Sequence, residues 1–233
     1  MSLHRHNPLL VQKLRPLVEA GEGDALLVTV ERLSVAERRT AGYLLSTDLL
    51  VKCSSAAYWQ CFRALVPACS KAYLGTFLKA LSMRFRLGQK ELDEAALSAF
   101  AAVATPIDVR KTLETLLVLR LDVDTAARVV EIFTDNRLEP TATLLLKVGN
   151  PVSYYLLFQL LRRADVEAAA LRHYAILLMR KADSLSFKMA SALRLYFGLT
   201  DLPGTFSLRL EAYELSRLEK GFEPFLKTLQ IQY

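Results

Sequence analysis

The chain has 233 residues, 30 Lys plus Arg against 24 Asp plus Glu, and 52% hydrophobic residues. That length fits one large domain or two small ones and buries a core without disulfide or metal staples, and such hydrophobicity excludes disorder. Cys53, Cys61 and Cys69 form no CxxC pair, and with only His4, His6 and His173 beside them they supply no zinc site, so no metal is expected.

The three thiols read as small buried hydrophobes in a reducing compartment, which makes the cytoplasm the expected location. The longest charge-free stretches, Ala95–Ile107 and Val148–Leu161, fall short of the ~20 apolar residues of a membrane span. Lys13 and Arg15 interrupt the early apolar run that a secretory signal would need. Composition also speaks to fold class. There are 46 Leu and 28 Ala but only four Ile, and Leu and Ala favour helix where β-branched residues favour strand. The expectation is an all-α chain.

Apolar residues recur at spacings of three and four from end to end. The predicted helices are 8–19, 24–32, 34–46, 54–67, 70–86, 89–104, 106–120, 124–135, 139–148, 151–164, 166–182, 184–198 and 206–220. Several starts carry their own signal. Ser34 and Glu37 have the spacing of a capping box. Thr105-Pro106 and Asn150-Pro151 place a capping residue before a proline, and Asp124, Asp165 and Asp183 are further candidate N-caps. Glu91, Asp93 and Glu94 are expected in a first helical turn, where the helix dipole favours acids. The connections are short, so consecutive helices should be antiparallel neighbours in a single all-helical domain, 1–233, with a weak sub-boundary near 200–205.

Alternate helix starts at 54, 89, 124, 151 and 184 are separated by 35, 35, 27 and 33 residues, a possible internal period. That spacing resembles the α–α superhelices of tetratricopeptide-like and HEAT-like arrays, although their consensus residues are absent. Such arrays present extended surfaces for binding and seldom carry self-contained active sites. No nucleophile–base pair and no glycine-rich phosphate loop can be read, so neither a catalytic residue nor a cofactor is expected.

Charge is distributed in blocks. No acid lies between Asp48 and Glu91, an interval holding Lys52, Arg63, Lys71, Lys79, Arg84, Arg86 and Lys90. An acidic stretch follows, and 140–200 is basic again. On a helical projection Lys71, Lys79 and Arg86 share a polar face opposite Tyr73, Phe77 and Phe85, which makes them the expected binding residues. Lys52, Arg63, Arg84 and Lys90 are further basic candidates. The expected function is a non-enzymatic scaffold that binds a protein partner. The alternative is a nucleic-acid-binding module using the basic blocks 49–90 and 140–200. The oligomeric state has no signature in the sequence.

Overall fold

The structure, a computed structural model, describes residues 7–199 apart from 69, 120, 135, 136, 164 and 182, and apart from the side chains of 70–72, 163 and 195. The predicted helix 206–220 and the sub-boundary near 200–205 lie outside the described residues. The structure is 82% helix, and no strand occurs among the described residues. The helices are α1 (Pro8–Ala20), α2 (Gly23–Glu31), α3 (Val35–Leu44), α4 (Leu50–Lys52), α5 (Ser55–Ala68), α6 (Ser70–Arg86), α7 (Glu94–Ala101) and α8 (Pro106–Leu117). They continue with α9 (Val123–Thr134), α10 (Leu138–Val148), α11 (Pro151–Arg163), α12 (Ala168–Lys181) and α13 (Ser184–Phe197).

Local capping chemistry sets most of the starts. Ser34 and Glu37 form the full capping box: the Glu37 carboxylate accepts from Ser34 N–H at 2.9 Å while the Ser34 hydroxyl accepts from Glu37 N–H at 3.3 Å. Thr105 caps α8, the Asn150 amide oxygen accepts from Ser153 N–H at 2.7 Å, and the Asp183 carboxylate accepts from Ser186 N–H at 2.8 Å. Several boundaries differ from expectation. The 34–46 helix does not stop; it passes through a π-helical turn, Leu45–Leu49, straight into α4. The 89–104 helix begins only at Glu94, because Asp93 is its N-cap and accepts from Ala96 N–H at 2.9 Å. Asp122 rather than Asp124 caps the next helix, accepting from Thr125 N–H at 2.8 Å. The helix expected at 166 begins at Ala168, beyond Asp165.

The described residues form two compact units, divided between Leu119 and Arg120. In the first, helices pack on their next-but-one neighbours along two rows: α2 on α5 on α7, and α3–α4 on α6 on α8. Tyr43 meets Lys79 and Leu50 meets Arg84, so positions rise together along the α3–α4 rod and α6, and the two run parallel. α5 returns the chain between them. Its aromatics hold the core through edge-to-face contacts, Tyr58 on Phe77 at 5.5 Å and Phe62 on Phe77 and Phe100 at 5.6 and 5.7 Å. In the second unit α10 packs on α11 and α12 on α13, while α11 touches both α9 and α13. Its core is built from Tyr154, Leu157, Phe158, Leu178 and Leu193, all buried. Within each unit the pattern is that of a helical array.

Candidate functional site: a cationic groove between α3 and α6

Parallel helices linked through α5 need not touch along their whole length, and here they part. The gap is an open groove of about 570 Å³, walled by α3 and the π-helical turn on one side and by α6 on the other. Val35, Arg38, Arg39, Gly42, Tyr43 and Ser46 follow the i, i+3, i+4 spacing of one helix face. Tyr73, Gly75, Thr76 and Lys79 face them.

Three cations line the groove, and none of its lining residues is acidic. The nearest acid in sequence, Glu37, is committed to the cap, and its hydrogen bonds from Ser34 hold its carboxyl below the usual range. Arg38 donates its Nε to the Leu33 carbonyl at 2.9 Å, which fixes the stem of the side chain. The Lys79 ammonium stands 5.7 Å over the Tyr43 ring. Among the described residues no carboxylate comes within ion-pair distance of Arg38, Arg39 or Lys79. Three unpaired cations around one concavity attract anions.

The glycines of the lining are equally informative. Among the described residues Gly42 and Gly75 are the glycines that sit inside helices away from any end, and both line the groove. Glycine in a helix interior costs roughly 0.5–1 kcal/mol against alanine. Packing gives no reason for that cost at Gly75, because an added Cβ would meet nothing within 4 Å. At Gly42 it would reach only the Thr76 hydroxyl, at an ordinary 3.7 Å. Contrast Gly23, where a Cβ would fall 2.6 Å from that of Ala64. Gly23 is required by the fold. Gly42 and Gly75 are not.

The π-helical turn closes one wall. Beside it the Tyr43 carbonyl accepts from the Ser46 hydroxyl at 3.1 Å and the Thr47 hydroxyl at 2.8 Å. Single π turns inside α-helices are frequent at functional sites.

The structure distributes the sequence-predicted binding residues unevenly. Lys79 lines the groove, and Arg86 and Lys90 are exposed farther along. The side chain of Lys71 lies outside the described residues. Lys52 pairs with Asp48 at 2.5 Å and Arg63 with Asp93 at 2.6 Å, so their charges are already matched. Arg84 is 3% exposed and donates to the carbonyls of Leu50 and Cys53 at 2.9 and 2.8 Å. Arg38, Arg39, Gly42 and Tyr43 were not among the candidates, since they precede the acid-free interval. Two helix-interior glycines without a capping role were the readable sign.

No described helix is long and apolar enough to cross a membrane. Compared with family models, with curated proteins and with solved structures, the chain matches none.

Proposed function

We propose that the chain is a non-enzymatic helical adaptor that engages a protein partner through the α3–α6 groove. One observation carries this reading: an open concavity of about 570 Å³ with three cations, two tyrosines and no acid in its lining. Arginine and tyrosine are enriched at the residues that contribute most to protein binding. The reading keeps the protein in the cytoplasm, where the buried thiols Cys53 and Cys61 stay reduced. Affinity capture on the immobilised full chain tests it. A partner should survive nuclease treatment, be lost with Gly75→Leu, which fills the groove, and be kept with Lys90→Glu outside it.

A second reading rests on α6 having no acid along its length, with Arg86 and Lys90 exposed beyond its groove-lining Lys79. Those cations would then follow a phosphate backbone in a nucleic-acid-binding module. Its mark is affinity that falls steeply with salt as condensed counterions are released. A gel-shift titration with single- and double-stranded nucleic acid at two salt concentrations decides it.

A further inference from the structure

We infer that the occupant of the α3–α6 groove is an extended acidic peptide segment, its main chain lying over Gly42 and Gly75 and its carboxylates taken by Arg38, Arg39 and Lys79. The inference rests on the adaptor reading and adds the chemistry of the ligand. Charge complementarity comes first: the lining offers three cations without a carboxylate partner among the described residues, so a neutral or basic segment would leave them unanswered.

The glycines select the shape. Glycine lets another backbone approach a helix more closely than any residue with a Cβ allows. The open space above Gly75 and the ordinary contact above Gly42 show that the protein itself does not use that approach. An extended chain does, since its side chains alternate to either side and leave the main chain free to lie close along the helix backbone at the glycines. Tyr43 and Tyr73 then flank the segment, Tyr43 being exposed at the rim with Lys79 over its ring. Arg38, anchored through Nε on Leu33, presents the rest of its guanidinium as a pre-set fork for a carboxylate.

The test is fluorescence anisotropy on the full chain with three labelled probes: an oligoglutamate, its oligoglutamine counterpart, and an oligothymidylate of equal charge. The oligoglutamate should bind, and the oligoglutamine and the oligothymidylate should each be weaker by at least about tenfold, a difference of 1.4 kcal/mol. Gly75→Leu should weaken binding by about the same factor while its melting temperature stays at or above that of the parent, because leucine is the better helix former. Gly75→Ala should melt higher too, with a smaller loss of binding. A combined Arg38→Gln, Arg39→Gln, Lys79→Gln variant should abolish discrimination between Glu and Gln. Opposed changes in stability and affinity cannot come from misfolding. Equal binding of the oligothymidylate, binding indifferent to Gly75→Leu, or a lowered melting temperature for Gly75→Ala would each overturn the inference. Failure of the peptide alongside intact, Gly75-dependent partner capture overturns the acidic-peptide inference alone; a bound peptide with no nuclease-resistant partner overturns the adaptor reading alone.

Discussion

Both units close a helix C-terminus with a cation from a later helix, and the two closures are chemically unlike. In the first unit Arg84 of α6 reaches back to the end of α4. Its guanidinium donates to the carbonyls of Leu50, Val51 and Cys53 and to the Ser55 hydroxyl, and lies 5.0 Å over the Tyr58 ring. In the second unit Lys181 of α12 reaches the end of α10. It donates to the Leu146 carbonyl and to the Tyr154 hydroxyl, and lies 5.5 Å over the Tyr154 ring. The layout recurs: terminal carbonyls, an aromatic on the following helix, a cation from the helix after that. The cations fit their surroundings. Arg84 is buried, where a fork of five donors satisfies several acceptors and the guanidinium never deprotonates. Lys181 sits at the rim, where a point charge suffices. There Gly149 takes a φ of 63°, the left-handed region that favours glycine.

The largest effect should follow from emptying the buried closure. Arg84→Met takes the guanidinium donor from the Leu50, Val51 and Cys53 carbonyls and leaves Leu50 only the weak Cys53 thiol, and each buried acceptor left unmet costs about 1–3 kcal/mol. We expect roughly 3–5 kcal/mol lost in urea denaturation, the range reached when a buried polar network is broken. Arg84→Lys retains a charge but has no fork to span Leu50 and Ser55 together, so it should lose roughly 1–3 kcal/mol. If Lys serves as well as Arg at 84, the contrast between the two closures is broken.

What could be read in advance follows the reach of each interaction. The capping box at Ser34–Glu37 and the caps at Thr105, Asn150 and Asp183 act within a single turn, so three or four residues carry the whole signal. The continuation of α3 through the π-helical turn carried no local mark. Arg84 stood in an acid-free interval beside Lys79 and Arg86, and nothing near it announced the carbonyls it meets some 30 residues upstream. The groove was half legible. Lys79 lay in the basic block, whereas Arg38 and Arg39 sat beyond it and are joined to it only by the parallel packing of α3 on α6. Gly42 and Gly75 were visible as letters, but only the space around them shows that the fold does not require them.

At the exposed closure the penalty should be smaller. Lys181→Met removes a charged donor from one helix-end carbonyl, and partial solvation lets water replace it. A loss of about 1 kcal/mol is expected, read as a shift in the urea midpoint. A loss matching that of Arg84→Met would show that burial does not separate the two closures.

Alkaline pH gives the finest discrimination, because only one of the two cations can shed its proton. Burial holds the Lys181 ammonium below the ordinary lysine pKa of 10.5, with Asp183 acting weakly the other way. The folded state therefore gives up this proton more readily than the unfolded chain does. The contribution of Lys181 to stability rises as pH climbs through its lowered folded value towards 10.5, and is level above that. Tyr154, pushed upward by burial, runs in the opposite sense: the unfolded chain ionises near 10 while the folded ring does not, so stability is lost as pH rises further. Both proteins of a pair share that loss, and subtracting Lys181→Met from the parent removes it. The difference in unfolding free energy between parent and Lys181→Met should grow between pH 7 and 10.5. A flat difference would mean that burial does not hold the Lys181 ammonium below the ordinary lysine value in the folded state.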